Sequence, residues 1–283
     1  MSKAIAALFL SVLFVAGAQA EPVPWGKLPN FDSSDLSESV RSRAVALMKT
    51  QSCYYECSKT VFECVTQTKP ARTALRLAGF ITRQVVRGKS DSEIGKMIMD
   101  RARSAHPFKK AAVSVDDAPC TGSATAKVIV TAFSDFDCPF CKLISPQLVK
   151  LSGALGKEVT YCFKLFPVKG HGALAVETSK AGYAAFKLGQ FWKFHDIMYA
   201  HFEDHDDADV KGYVADCGLS WSEFQSLKDA SGTRKAIVAS KREGLKLGVK
   251  STPAIFVNGK RYYGEKTEVE LKDRLEEELD LVK

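Results

Sequence analysis

The sequence predicts an α/β protein, in which a mixed sheet with helices on both faces follows a small all-α region that contains cysteines. A strand-like apolar run at 127–133, a helical segment at 139–155 and a second run at 159–166 are typical of parallel strands joined by a helix. Later, Asn258-Gly259 separates two β-rich runs and indicates a hairpin, because a type I′ turn requires positive φ at both positions. Between 39 and 103, apolar residues recur every three or four positions, as in amphipathic helices.

Breaks in these patterns divide the chain into consecutive parts. The start combines Lys3, a short apolar stretch and small residues at Ala18 and Ala20, which is typical of a secretory signal cleaved near Ala20. We therefore expect a soluble protein of the periplasm or the medium, where disulfides can form. The predicted parts are a signal peptide at 1–20, an extended leader at 21–37, a helical cysteine-containing domain at 38–105, a linker at 106–122, and an α/β domain at 123–283 with a helical insertion at about 173–247.

Charge is distributed unevenly along the chain. Residues 21–110 contain 16 Lys and Arg against 9 Asp and Glu, whereas residues 111–283 contain 23 against 24. The basic front part is compatible with docking to an anionic membrane surface or an acidic partner, although a solvated helical face would show the same balance. The sequence carries no nucleic-acid motif and no basic stripe interleaved with aromatic residues, so we expect no nucleic-acid partner.

The strongest chemical signal is the pair Cys138 and Cys141, which lies where the first strand leads into a helix. A helix N-terminus presents unpaired N–H groups and a partial positive charge, which lower the pKa of a thiol there and make Cys138 a nucleophile. Pro139 suits the first helical position and leaves Cys141 one turn further on as the resolving thiol. Zinc is the alternative for two cysteines at this spacing, but no matching second pair follows.

Four motifs occur in order over about residues 120–283. They are Phe133-Ser-Asp-Phe-Asp-Cys-Pro-Phe-Cys141, Phe163-Lys-Leu-Phe-Pro167, Phe191-Trp-Lys-Phe-His-Asp196 and Val249-Lys-Ser-Thr-Pro-Ala-Ile-Phe-Val-Asn-Gly259. Together they resemble the DsbA-type family of thioredoxin-fold thiol–disulfide oxidoreductases. The resemblance implies a thioredoxin-like sheet in which Cys138 attacks, Cys141 resolves and Pro253 is a cis-proline facing them. Thr252 and Pro253 are then substrate-positioning candidates, because a cis bond would present backbone groups to an extended peptide.

Three residues near the pair differ from those of the strongly oxidising members of that family. Phe140 stands where those members place a histidine, and Ala132 stands where the family often has a buried acid. Asp137 adjoins Cys138, so its charge could oppose thiolate formation, although a solvent-facing side chain at the helix start would have little effect. We therefore expect a less depressed Cys138 pKa and leave open whether the protein acts as an oxidase, isomerase or reductase.

Six further cysteines carry a second set of hypotheses. They are Cys53, Cys57, Cys64, Cys120, Cys162 and Cys217. If 54–66 is helical as its periodicity predicts, the first three lie within about 40° of one helix face. They could form structural disulfides with the other three, an auxiliary redox centre, or a copper or zinc site. The segment Val85-Val-Arg-Gly-Lys-Ser-Asp-Ser-Glu-Ile94, after a cysteine-bearing stretch, is similar to the helical thiol domain of CcmH-type cytochrome c maturation proteins, which implies a helical fold for this part.

Histidines and acids cluster in the predicted insertion. His171 stands at a place where the DsbA-type family often has a histidine, and a loop hydrogen bond would explain it equally well, whereas we expect His195 to pack within its helix. The run from His201 to Asp209 fits a solvated turn in which an Asp caps the next helix, with a cation site as the alternative.

These observations predict an exported enzyme that exchanges disulfides with cysteines of other proteins through Cys138 and Cys141, without a cofactor beyond that redox-active disulfide. The expected partners are cysteine-containing protein substrates, a membrane redox partner that resets the pair, and a second copy bound through the N-terminal domain. The alternative is a copper- or zinc-carrying protein that uses the N-terminal cysteines and keeps the thioredoxin-like unit as a scaffold.

Overall fold

The structure is a computed structural model that describes residues 23–55 and 59–282 of the 283-residue chain. Its helices are α1 (Glu38–Thr50), α2 (Val61–Val65), α3 (Arg72–Val86), α4 (Asp91–Ala105), α5 (Pro139–Ala154), α6 (Leu174–Lys187), α7 (Phe191–Ala200), α8 (Asp207–Asp216), α9 (Trp221–Lys228), α10 (Ser231–Lys246) and α11 (Glu268–Leu281). Its strands are β1 (Cys120–Thr121), β2 (Val128–Ser134), β3 (Val159–Leu165), β4 (Ala254–Val257) and β5 (Lys260–Arg261). The predicted signal peptide and Cys57 lie outside the described residues.

The five strands form one mixed sheet in the order β1-β3-β2-β4-β5, and this confirms the predicted α/β class. Strands β2 and β3 are parallel, whereas β4 runs antiparallel to β2 and continues into β5. The central strand β2 buries every residue except Ile129, which explains its nearly unbroken apolar run. Helices α5 and α11 cover one face of the sheet, and α10 approaches Phe133 on the other face through Gly244. This arrangement places the start of α5 at the carboxyl end of β2.

The front of the chain forms a second hydrophobic core from α1 to α4. A capping box begins α4, since the Ser90 hydroxyl accepts from the Glu93 N–H and the Glu93 carboxylate accepts from the Ser90 N–H. The leader expected to be extended instead contains a short 3₁₀ turn at Trp25–Lys27 that packs into this core. Val23, Trp25 and Leu28, which precede α1, therefore belong to the packed core.

Two further predictions about local structure are wrong. Among the described residues of 54–66, the expected helix is present only as α2, because Ser52 pairs with Thr60 in an isolated β-bridge before it. Cys53 thus lies outside the helix, and the face shared by three cysteines is not formed. The linker expected over 106–122 ends in β1, which pairs with β3 and extends the sheet.

The helical front docks onto α11 through buried ion pairs. The carboxylate of Asp273 is fully buried and lies 3.2 Å from Arg76, 2.9 Å from Arg83 and 2.8 Å from Arg101. Burial alone would raise the pKa of Asp273, but the three guanidinium groups lower it to about 2. Part of the front segment's positive charge is therefore neutralised by an acidic helix of its own chain.

Within the described residues, no helix is long and apolar enough to cross a bilayer.

Candidate active site

Cys138 occupies the N-cap position of α5, and Pro139 is the first helical residue. Proline suits this position because its missing N–H would have no partner in the helix. The Cys138 carbonyl accepts from the Cys141 N–H at 2.9 Å, which places the second cysteine on the first turn. The structure thus places both thiols at a helix N-terminus, where the sequence predicts them.

The two thiols have different environments. The Cys138 side chain is almost buried, and its Sγ lies 3.4 Å from the Thr252 carbonyl oxygen. A hydrogen bond from the Cys141 thiol is the main cause that lowers the pKa of Cys138 to about 6. Burial raises this pKa, whereas the Thr252 side chain lowers it further. Burial raises the pKa of Cys141 well above its ordinary value. At neutral pH the pair therefore contains one thiolate and one thiol.

Thr252 and Pro253 lie beside the pair, where β4 begins. The Thr252–Pro253 peptide bond is cis, as the family resemblance implied, and both residues are buried. The buried Thr252 hydroxyl, whose contact helps to lower the pKa of Cys138, has no other hydrogen-bond partner among the described residues, so it can donate to a sulfur anion.

The structure corrects the expectation that Asp137 faces solvent. Its side chain is only 11% exposed, accepts from the Thr178 hydroxyl at 2.6 Å and pairs with His205 at 3.1 Å. Phe140, in contrast, is 65% exposed and projects from the start of α5 beside the thiols. Its side chain offers an apolar contact surface at the site, and its backbone N–H helps to lower the pKa of Cys138.

Asp135 is a structural residue of the site whose role the sequence did not indicate. It is fully buried, and its Oδ2 accepts from the Val168 N–H and from His171 Nδ1, each at 2.7 Å. Its Oδ1 accepts from the Asp137 N–H at 3.1 Å. Burial raises the pKa of this carboxyl. Asp135 therefore ties the loop that carries Cys138 to the segment after β3, and His171 makes a loop hydrogen bond there.

A buried chain of hydrogen bonds lies one turn below Cys141. Ser145 Oγ is 2.7 Å from the Tyr161 hydroxyl and 2.7 Å from His195 Nε2. On its other side, His195 Nδ1 lies 2.8 Å from Asp196 Oδ1. His195 is fully buried in α7, so it packs as expected, but its two polar contacts were not foreseen. The only sequence signal was the helical spacing of Ser145 from Cys141.

The remaining cysteines do not form a second reactive pair in the described part of the chain. Cys120 and Cys162 form a disulfide between β1 and β3. Cys64 is disulfide-bonded as well, and so it offers no thiolate to a metal. Cys53 and Cys217 are buried free thiols whose pKa values burial raises, to about 11 for Cys53. Among residues 23–55 and 59–282, including the run from His201 to Asp209, no group of three potential ligands could hold a metal ion.

A thiolate and a protonated thiol held on one helical turn of a thioredoxin-like sheet are the two groups that thiol–disulfide exchange requires. Residues 114–277 match the protein family described as Thioredoxin, and the chain belongs to that family.

Solved structures share this fold. A thioredoxin-like oxidoreductase from Silicibacter pomeroyi DSS-3 aligns with a TM-score of 0.52 and 23% identity, covering 57% of this chain and 91% of that one. The thiol-disulfide exchange protein alpha-DsbA2 from Wolbachia pipientis aligns with a TM-score of 0.52 and 20% identity, covering 64% and 94%. These similarities confirm the DsbA-type resemblance at the level of the fold.

A curated relative matches part of the chain. The Na(+)/H(+) antiporter NhaA 1 of Salinispora arenicola (strain CNS-205) is 31% identical over 145 residues, which is 50% of this chain and 22% of the antiporter. The chain spans less than a quarter of the length of the first curated relatives it matches. This similarity therefore concerns one segment of a much longer protein.

Proposed function

We propose that this protein is exported and exchanges disulfides with cysteines of other proteins, with Cys138 as the attacking thiol and Cys141 as the resolving thiol. The observation that carries the proposal is the contact of Cys138 Sγ with the Thr252 carbonyl, beside the cis-proline. A substrate thiolate attacks Cys138 of the oxidised pair and displaces Cys141 as a thiolate. The second substrate thiol then attacks the mixed disulfide, so the substrate leaves oxidised and the enzyme keeps both electrons as two thiols.

The direction that the site favours is oxidation of substrate dithiols. A lowered Cys138 pKa stabilises the reduced enzyme and makes its disulfide a better oxidant. We therefore propose a potential less reducing than the roughly −270 mV of thioredoxin itself. Equilibration of the protein with glutathione buffers tests this directly. A measured reduction potential at or below that of thioredoxin would contradict the oxidase assignment and indicate a reductase.

Protein substrates are supported by the exposed ring of Phe140 and by the cis Thr252–Pro253 bond beside the thiols, which can present backbone groups to an extended peptide. The activity test is oxidation of a reduced dithiol peptide by the full chain, with Cys138→Ala as the inactive control. Export, a membrane partner that resets the pair and self-association stay predictions from the sequence. Ion transport is not proposed, because the matching segment covers only 22% of the antiporter.

A further inference from the structure

His205 lies in the segment between α7 and α8, yet it is only 5% exposed. Its Nε2 is 2.8 Å from the Met198 carbonyl oxygen, and its Nδ1 is 3.1 Å from Asp137 Oδ1. A carbonyl oxygen can only accept, so Nε2 carries a hydrogen. An ionised carboxylate also only accepts, so Nδ1 carries a hydrogen as well. The hydrogen-bond pattern thus makes the ring an imidazolium paired with the Asp137 carboxylate.

The surroundings of the ring favour this charge state. The charged groups that act on it are the carboxylates of Asp137, from the loop before α5, and of Asp204, from its own segment. Helix α7 contributes the neutral Met198 carbonyl, and the Phe202 ring packs edge-on with its centroid 5.9 Å away. Burial lowers the pKa of His205, but the contacts with Asp137 and Met198 outweigh it and the pKa is raised.

Asp137 immediately precedes Cys138 in the loop before α5, so the ion pair stands one residue from the N-cap thiol. A carboxylate without a counter-charge would disfavour a neighbouring thiolate. The imidazolium cancels that charge, and the Thr178 hydroxyl on α6 holds the second carboxylate oxygen at 2.6 Å. The Phe140 side chain carries no charge to offset this carboxylate, so the counter-charge that the structure provides is that of His205.

We propose that His205 is a positioning residue for disulfide exchange, whose imidazolium neutralises the Asp137 carboxylate and thereby preserves the anionic form of the Cys138 sulfur. The proposal rests on the proposed function, in that Cys138 is the attacking thiol. It assigns a role to a histidine that lies 67 positions after Cys138 in the sequence.

The test uses the reduced full chain and iodoacetamide, with alkylation of Cys138 followed by peptide mass spectrometry at pH 5. Loss of the counter-charge in His205→Gln should lower the thiolate population, and hence the alkylation rate, roughly tenfold. The double variant His205→Gln with Asp137→Asn removes both charges and should recover the wild-type rate to within about twofold. His201→Gln, in the same segment but exposed and stacked on Tyr213, is the matched control and should match the wild type.

The outcomes separate this inference from the proposed function. If the wild type oxidises a dithiol peptide while His205→Gln alkylates at the wild-type rate, the inference is wrong and the function stands. A slow double variant would also contradict it, because the loss would then be structural. If the wild type does not exchange disulfides, the proposed function itself fails. Should His205→Gln not fold, ¹⁵N chemical shifts of the wild-type His205 ring at pH 7 decide the matter, since a neutral ring would overturn the proposal.

Discussion

The Sγ atom of Cys138 lies 3.4 Å from the carbonyl oxygen of Thr252, and this contact joins the start of α5 to the start of β4. The two residues are 114 positions apart in the sequence. Because β4 runs antiparallel to β2 and pairs with it, the segment after β2 and the segment before β4 lie at the same end of the sheet. Cys138 and Thr252 therefore meet there. The reactive sulfur therefore depends on the whole sheet and not only on its own helix.

The pH dependence of Cys138 follows from its thiolate. Its pKa of about 6 predicts that alkylation of the reduced enzyme rises with pH through a midpoint near 6, whereas an ordinary thiol has a midpoint near 9.0. Because the folded pKa is depressed, the ionised sulfur stabilises the reduced fold fully above about pH 9, and this stabilisation is lost as the pH falls through about 6. Alkylation rates and urea unfolding between pH 4 and about 9 measure both effects. A midpoint near the ordinary thiol value would exclude this site as an activated nucleophile.

The Asp273 cluster should dominate docking of the helical front onto α11. Asp273→Asn leaves three guanidinium groups without their shared carboxylate and should cost about 3–5 kcal/mol of unfolding free energy. Glu268 lies on α11 like Asp273 and forms an exposed ion pair with Lys150 of α5. Glu268→Gln breaks this pair and should cost less than about 1 kcal/mol of unfolding free energy. Denaturant unfolding compares the two, and equal costs would show that the buried cluster adds little.

The same carboxylate makes a prediction for acid unfolding. Its folded pKa of about 2 lies below the ordinary 3.8, so it stabilises the fold fully above about pH 4 and this contribution is lost as the pH falls towards 2. The free energy of unfolding of the wild type should fall across that pH window, and that of Asp273→Asn should fall less. If urea unfolding gave the same pH dependence for both proteins, Asp273 would not be the group that titrates.

Close packing beneath the site should make Gly182 intolerant of a side chain. A Cβ there would lie 2.5 Å from the ring of Phe136, which stacks on Phe163 under the active-site loop. Gly182→Ala should therefore cost about 1–3 kcal/mol. Gly212→Ala, in the middle of α8 with open space around its Cβ, should instead stabilise the protein by about 0.5–1 kcal/mol. Thermal unfolding of both variants tests the difference in sign.

The Cys120–Cys162 disulfide should be structural and separate from catalysis. It closes a loop of 42 residues, so replacing both cysteines with alanine should cost about 2–4 kcal/mol. The rate of Cys138 alkylation should stay within about twofold of the wild type, because this bond lies between β1 and β3. A large fall in that rate with the fold intact would instead link the disulfide to the redox site.

Parts of the site that depend on local chemistry could be predicted from the sequence. Cys138, Cys141 and Pro139 lie in one strand-to-helix junction, and the family resemblance placed Thr252–Pro253 opposite them. The contacts of His205 and Ser145 could not be predicted, because they depend on how α5, α6 and α7 pack. The helix predicted over 54–66 was wrong at its described first residues, because the Ser52–Thr60 bridge outweighs helical periodicity there. The basic front was visible in the composition, but its partner α11 became evident only in the fold.

The measurement that tests the central claim most directly is capture of a mixed disulfide. Cys141→Ala cannot resolve the intermediate, so incubation with a disulfide-bonded peptide should leave that peptide attached to Cys138. Peptide mapping distinguishes this product from adducts at Cys53 or Cys217, the other free thiols among the described residues of that variant. An adduct at Cys138 that is absent in Cys138→Ala is the predicted result. An adduct at Cys53 or Cys217, or none at all, would contradict the assignment of Cys138 as the attacking thiol.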